Sequence, residues 1–401
     1  MKPIMGDFYR LFRIPTFFMN INRSYPYIKK DKIWALQLII IHGLSTSVFI
    51  LILYNIILYD LKINDFSRTC KNGVLSVVYI VITYQYCILI YHRHGIIRLM
   101  EDVKKDFELF VNSPIDEKKV MLDYAEKGMW VCKQWLMISV CGASIFVVKN
   151  VILFSYYHYI GEPRLVQLYE LIYPDVIERN KENIVVFCSL YGLLLYYDCL
   201  SAVMYVAFVP LGPIFMLHAC GQLELVKRRV NNIFDERDDE VIRIKTRNVI
   251  QRLQYVYSFV ERINACFKVT YELTLKRQEG KPDLFLYSRR LIMFAFQSFH
   301  NGEISVEFIT FIIGGTLISS SPCFYSDLLM EKGEDVRLAV YSCGWEGHHD
   351  LRTRNTLQLV LLRALRPIAI RTMFRTLCLD ALTDLFQQSY AIFNLMNAMW
   401  K

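Results

Sequence analysis

Residues 33–59 form a continuous apolar run that contains no Asp, Glu, Lys or Arg. About 20 helical residues are enough to cross the hydrocarbon layer of a bilayer, so this run is long enough for a transmembrane helix. The rest of the chain is biased in the same direction, with 54% hydrophobic and only 21% charged residues. Segment length and composition together favour a membrane protein over an ordinary soluble protein.

Similar apolar segments recur along the chain and predict an all-α membrane protein with seven transmembrane helices. The fifth segment is the weakest, because it carries Arg289 and Arg290 and follows the polar run 276–283. Pro210 and Pro213 are expected to kink the end of the fourth segment. The predicted spans are 33–59, 73–91, 130–157, 184–218, 284–302, 304–330 and 377–400.

The positive charges predict the orientation of these spans, since short cytoplasmic loops carry an excess of Lys and Arg. The N-terminal segment, the second and fourth loops and the loop after the sixth span are basic, whereas the first and third loops are poor in cations. The N-terminus is therefore predicted to be cytoplasmic and the C-terminus extracellular, the reverse of a G-protein-coupled receptor. The net charge of +8 is dispersed among hydrophobic segments, so the expected partner is the lipid bilayer and not a nucleic acid.

Residues 219–283 and 331–372 are predicted to be cytoplasmic helical anchor regions, in which spans 4 to 7 continue as long helices. In the first of these regions apolar side chains recur at helical spacing. They are Val249, Leu253, Val256, Val260 and Ile263. This apolar stripe would be buried in an interface between subunits, or would belong to a solvated amphipathic loop.

The seventh span has one polar face, because its polar and small residues recur every three or four positions. The residues of this face are Asp380, Asp384, Gln387, Ala391, Asn394 and Ala398. A carboxylate inside a membrane usually faces a bundle interior or a water-filled path. The polar face therefore predicts a pore lining in which Asp380 and Asp384 attract cations and a ring of Leu395 side chains forms the gate. Packing of the same face against another helix is the alternative.

The sequence offers no signs of an enzyme. His348 and His349 beside Asp350 point in different directions and lack further ligands, so no metal site is expected. Asp380 and Asp384 have no companion His or nucleophile that would complete a catalytic site. We therefore predict no catalytic residues, no metal and no cofactor.

Several motifs resemble those of the insect odorant receptor family, and of its moth-like members in particular. The first is the run Tyr325 to Leu329, which ends the sixth span, and the second is the spacing of Tyr341 and Trp345. The third is Ser389, Tyr390, Phe393 and Leu395 in the last span. The segment 218–230, with the sequence HACGQLELVKRRV, also looks like these receptors, so the resemblance covers essentially the whole chain.

This resemblance implies a specific role in smell detection. Family members of this kind are odorant-tuning subunits that assemble with a shared co-receptor subunit, as a tetrameric hetero-oligomer, into a ligand-gated cation channel lined by the seventh span. The implied location is the plasma membrane of olfactory sensory neuron dendrites, and the family's gate position falls on Leu395. The alternative is a non-conducting seven-transmembrane chemoreceptor or transporter that acts through other partners.

The family's volatile ligands bind among spans two, three, four and six. Aromatic side chains at suitable depth supply apolar surface and a few hydroxyl groups for such ligands. The residues predicted to line the pocket are Tyr79, Thr83, Tyr84, Phe146, Tyr191 and Phe311. Ordinary packing between helices is the alternative role for each of them.

Overall fold

The computed structural model describes residues 4–60, 62, 66–162, 164–236, 238–275, 306–372 and 375–399. These residues are almost entirely helical. The helices are α1 (Ile4–Ile21), α2 (Lys32–Asn55), α3 (Phe66–Tyr91), α4 (Arg93–Phe110), α5 (Ile115–Ile160), α6 (Asp175–Glu178), α7 (Ile184–Phe208), α8 (Leu211–Asn231), α9 (Asp239–Leu275), α10 (Val306–Ser342), α11 (Leu351–Ala364) and α12 (Leu379–Met399). A π-helical segment, Ile56–Asp60, continues α2, and a single β-bridge joins Arg371 and Thr376.

Among the described residues, four helical segments are long and apolar enough to cross a membrane: Lys32–Asp60, Lys71–Tyr91, Ile115–Ile160 and Ile184–Asn231. Ile184–Asn231 is mostly buried in the single chain. The apolar side chains of Lys32–Asp60 and Ile115–Ile160 are widely exposed, as Ile33 and Ile39 on α2 illustrate. Such exposure fits a surface that faces lipid. Helices α10 and α12 occupy the positions of the sixth and seventh predicted spans, and the fifth, 284–302, lies outside the described residues.

The fourth apolar segment is divided into two helices at Val209 and Pro210. Helix α7 ends at Phe208 and α8 begins at Leu211, with Pro210 as its N-cap residue. Proline has no backbone N–H to continue the hydrogen-bond ladder, which explains a break at this position. Helix α8 then runs through the centre of the molecule, and every residue from Leu211 to Leu223 is buried.

The largest hydrophobic core surrounds α8. The stripe Val249, Leu253, Val256, Val260 and Ile263 of α9 is buried in this core. Aromatic contacts join the two helices, with the rings of Phe215 and Phe259 6.3 Å apart. The stripe is thus packed within its own chain, which corrects both sequence-based expectations for it. The stripe packs there because α8 offers it an apolar surface. Periodicity shows that a helix has an apolar face but not which element of the fold covers that face.

Helix α1 is a second element of this core that the basic composition of the N-terminus concealed. Phe8, Leu11, Phe12 and Met19 are buried in the same cluster. Asn22, just after the helix, donates a hydrogen bond to the sulfur of Met204 on α7 at 3.2 Å. The N-terminal segment is therefore fastened to the helix bundle through one apolar face.

A buried polar network joins α4, α8 and α9 inside this core. The Asp106 carboxylate lies 2.8 Å from His218 Nε2 and accepts hydrogen bonds from Arg252 at 2.7 Å and from Tyr255 at 3.0 Å. Gln222 donates to the same carboxylate at 3.0 Å. Burial acts to raise the pKa of Asp106, but His218 and Arg252 outweigh it and hold that pKa below its usual value. The carboxylate is therefore ionised and fully partnered.

Candidate ligand cavity and pore helix

A cavity of about 400 Å³ lies between α3, α5, α7 and α10. This volume falls within the range of small-molecule sites, roughly 300–1,000 Å³. Small residues such as Gly142, Ala143, Ala202 and Gly314 leave space between the helices, and larger apolar side chains complete the wall. The lining residues are Val78, Trp135, Met137, Ile138, Ser139, Cys141, Gly142, Ala143, Ile145, Phe146, Asp198, Ser201, Ala202, Tyr205, Thr310, Ile313, Gly314 and Ile318.

The polar groups of the cavity are few. Ser201 already donates its hydroxyl to the Tyr197 carbonyl oxygen at 2.9 Å. Asp198 is different, because its Oδ2 atom is buried and has no hydrogen-bond partner among the described residues. It is also the one acidic or basic side chain in the part of the cavity wall that the structure describes.

Phe146 is the predicted ligand residue that lines this cavity. Its ring also makes an edge contact with Tyr169, at a centroid separation of 5.1 Å. Tyr169 belongs to the segment after α5, whose side chains Leu168, Leu171 and Tyr173 are buried together with it. This segment therefore packs against the helix bundle next to Phe146 of the cavity wall.

Four of the other predicted ligand residues lie away from the cavity wall in the described structure. Tyr79 on α3 faces α2, where its hydroxyl is 2.7 Å from Thr46 Oγ1 and its ring stacks on Phe49. Thr83 and Tyr84 lie further along α3, outside the cavity wall. Tyr191 on α7 packs beside Phe187, and the side chain of Phe311 lies outside the described residues.

Asp198, Trp135 and Tyr205 are cavity residues that the sequence analysis missed. A signal for Asp198 was present, because it is the only Asp, Glu, Lys or Arg in the segment 184–218. An ionisable residue inside a transmembrane segment marks a functional site by default. Depth in the membrane and aromatic character, used alone, do not point to this carboxylate.

Helix α12 presents the predicted polar face on the surface of the single chain. Asp380, Gln387, Ala391 and Asn394 are exposed, whereas Ala381 and Leu385 on another face are buried. Asp384 is half-exposed and accepts a hydrogen bond from Arg375 Nη1 at 2.7 Å. Leu395 lies within α12, and its side chain is outside the described residues.

The connection into α12 is fixed by buried hydrogen bonds from α10 and by an exposed one from α9. Ser326 of α10 donates its hydroxyl to the Leu377 carbonyl at 2.8 Å and accepts from the Ile370 amide at 3.2 Å. Asn264 of α9 accepts from the Arg371 amide at 2.9 Å. Since Gly314 and Ile318 of the cavity wall also belong to α10, one helix contacts both the cavity and the base of α12.

The described helices, with a cavity between them, are those of an α-helical membrane protein. Residues 65–275 and 284–390 match the family model described as 7tm Odorant receptor. The chain therefore belongs to the insect odorant receptor family, a class of receptors and channels and not of enzymes. No curated protein sequence matches the chain.

Solved structures of similar fold come from the insect Machilis hrabei. The olfactory receptor OR5 in complex with eugenol superposes with a TM-score of 0.73 at 14% identity, and the match covers 97% of each chain. A second structure of OR5 gives a TM-score of 0.67 at 14% identity over 96% of each chain. This similarity establishes the fold over nearly the full length of the chain.

Proposed function

We propose that this chain is the odorant-binding, tuning subunit of a heteromeric ligand-gated cation channel that it forms with a shared co-receptor. It acts in smell detection, in the plasma membrane of olfactory sensory neuron dendrites. The assembly is tetrameric, each chain has seven spans, and the N-terminus is cytoplasmic with the C-terminus outside. Residues 219–283 and 331–372 are the cytoplasmic anchor regions.

The exposed polar face of α12 is the observation that carries this proposal. A single chain leaves Asp380, Gln387, Ala391 and Asn394 uncovered by its described helices. Polar side chains facing lipid are unfavourable, so a water-filled path at the centre of an assembly is the favourable place for them. In that assembly Asp380 and Asp384 attract cations, and Leu395 closes the path by excluding water.

Ligand binding is proposed at the cavity that Phe146 lines. Helix α10 provides a route from this cavity to α12, because Ser326 on α10 holds the backbone on both sides of the turn that precedes α12. A ligand that favours one position of α10 would thereby favour one position of α12. The ligand shifts the gate only by its difference in affinity for the two positions.

The test is voltage-clamp recording in cells that express this chain together with a channel-forming odorant co-receptor. A panel of volatile alcohols, esters, aldehydes, amines and acids is applied. We expect ligand-evoked cation currents that the co-receptor alone does not give with the same ligands. Asp384→Asn should lower the conductance of the open channel, whereas Asp175→Asn, on the exposed helix α6, should leave it unchanged.

Two outcomes of this recording would contradict the proposal. One is the absence of ligand-evoked current when the chain is present at the cell surface with its co-receptor. The other is a current whose conductance and ion selectivity do not respond to any substitution on the polar face of α12. The latter result would favour a non-conducting chemoreceptor or transporter.

A further inference from the structure

Asp198 occupies an energetically unfavourable position unless something binds to it. It is 9% exposed and lies near the middle of the membrane-crossing helix α7. No Lys, Arg or His accompanies it among the described residues of the cavity wall, and its Oδ2 atom has no hydrogen-bond partner there. An ionised carboxylate in this place has little hydration, and the described residues of the cavity wall give it no counter-charge. A neutral carboxyl group would leave a buried donor and acceptor without partners.

The hydroxyl of Tyr169 is a further polar group in the neighbourhood of Asp198. This hydroxyl is also buried without a hydrogen-bond partner among the described residues. Burial raises the pKa of Tyr169, and the nearby Asp198 carboxylate raises it further. Tyr169 is therefore a neutral neighbour that cannot supply the counter-charge. The cavity itself is the space from which a partner for Asp198 can come.

We propose that Asp198 is the specificity-determining residue of this cavity and that it selects small ligands with a basic nitrogen. The proposal rests on the proposed function in taking the cavity as the ligand site. A volatile amine enters as the uncharged base and takes one proton from the Asp198 carboxyl group. The product is an ammonium–carboxylate pair with no net charge, so no unpaired charge is buried. Charge-assisted hydrogen bonds of this kind are stronger than neutral ones.

Other ligand classes fit the same cavity less well. A carboxylic acid would place a second acidic group beside Asp198, and two carboxylates disfavour each other's ionised form. An alkane offers no donor to the carboxyl group. An alcohol forms a hydrogen bond with the carboxyl group but is too weak a base to take its proton and form an ion pair. The apolar wall formed by Trp135, Phe146 and Ile313 suits a short hydrocarbon chain on the nitrogen.

Binding is tested on the purified full-length chain in lipid nanodiscs, by ligand-induced thermal stabilisation. Hexan-1-amine, hexan-1-ol and hexanoic acid share one carbon skeleton and serve as matched probes. We expect hexan-1-amine to bind the unaltered protein more tightly than either neutral or acidic probe. In Asp198→Asn its apparent Kd should rise by roughly 10- to 100-fold, as expected for the loss of a charged hydrogen bond. The Kd of hexan-1-ol should change much less.

Two further variants separate the role of Asp198 from general damage. Asp198→Glu keeps a carboxyl group and should keep the preference for the amine. Asp175→Asn removes an exposed carboxylate outside the cavity and should bind all probes as the unaltered protein does. Equal binding of hexan-1-amine and hexan-1-ol to the unaltered protein would overturn the inference. An unchanged amine Kd in Asp198→Asn would overturn it as well.

The binding assay needs neither a co-receptor nor conduction. It can therefore contradict the inference about Asp198 without contradicting the channel proposal, and the recording can do the reverse. Amine binding that depends on Asp198, in a chain that gives no current with its co-receptor, would remove the channel and leave this inference standing. Currents evoked by neutral odorants, with no Asp198-dependent amine binding, would do the reverse.

Discussion

Arg375 Nη1 lies 2.7 Å from Asp384 Oδ2, so the guanidinium group just before α12 pairs with one of the two carboxylates on its polar face. Asp380 has no such pairing among the described ion pairs and remains exposed. In the proposed channel, the charge that cations meet at this end of the path therefore depends on a residue outside α12. The ion pair is about half-exposed, and exposed pairs contribute little to stability.

Arg375→Gln should increase the conductance of the channel to cations. Removal of the guanidinium leaves Asp384 unpaired and raises the local cation concentration. An effect of about 1.5- to 5-fold corresponds to the ~0.2–1 kcal/mol of an exposed pair. Single-channel recording measures it, and Arg371→Gln, an exposed arginine near the same turn, is the matched control. A lower conductance in Arg375→Gln would contradict the assigned role of Asp384.

Ser326→Ala should destabilise the junction between α10 and α12. The substitution leaves the buried Ile370 amide and Leu377 carbonyl without their hydroxyl partner, at a cost of about 1–3 kcal/mol. We expect a lower Tm in detergent and weaker ligand-evoked currents per surface receptor. The control is Ser320→Ala on the same helix, whose hydroxyl bonds to a carbonyl of its own helix. Equal Tm values for the two variants would argue against a fixing role for Ser326.

Gly212 should tolerate alanine poorly although it lies in a helix. A Cβ atom at this position would come within 1.9 Å of the Tyr271 hydroxyl oxygen of α9. We expect Gly212→Ala to lower the free energy of unfolding by about 1–3 kcal/mol, as overpacking does. Gly192→Ala meets open space on α7 and should be neutral or stabilising. Thermal unfolding of the two purified variants distinguishes them, and a neutral Gly212→Ala would show that α8 and α9 do not approach this closely.

The Asp106 network should give the protein a stability that depends on pH. The folded-state pKa of Asp106 is lowered, so its contribution is present above the unfolded pKa and is lost as the pH falls through the lower folded value. Asp106→Asn should cost about 3–5 kcal/mol at neutral pH, because it breaks a buried ion pair. The difference from the unaltered protein should shrink below about pH 4. Glu108→Gln, on the exposed side of α4, is the control for thermal unfolding across this pH range.

The sequence predicted much of the fold because membrane helices demand long apolar runs. Residues 33–59 and 184–218 are recognisable as membrane-spanning segments for this reason. The helical period of the stripe from Val249 to Ile263 likewise predicts a helix with one apolar face. The sequence does not predict the rotation of each helix about its own axis, and so not which side chains face a given neighbour. For that reason depth in the membrane alone predicts Tyr79 at the ligand site, whereas its hydroxyl lies against Thr46 of α2. The network around Asp106 brings together residues more than 100 positions apart, which no local pattern reveals.

The amphipathic helix α1 shows a second limit. Its four buried apolar residues are interspersed with polar and basic ones, so composition alone described the segment as a basic tail. Asp198 shows the opposite case, because the sequence does contain a signal for it. A single carboxylate in an otherwise uncharged span carries more information about function than the aromatic residues around it.

The polar face of α12 can be probed directly by cysteine substitution in the assembled, ligand-activated complex with the co-receptor. Single cysteines at positions 380, 387, 391 and 394 are treated with a charged methanethiosulfonate reagent while current is recorded, and cysteines at 381 and 385, buried on another face, are the controls. The unaltered chain, with its own free thiols, sets the background. If the polar face lines a water-filled path, modification on it changes the current and modification at 381 and 385 does not. Polar-face cysteines that never react from either side of the membrane would contradict a water-lined path along this helix.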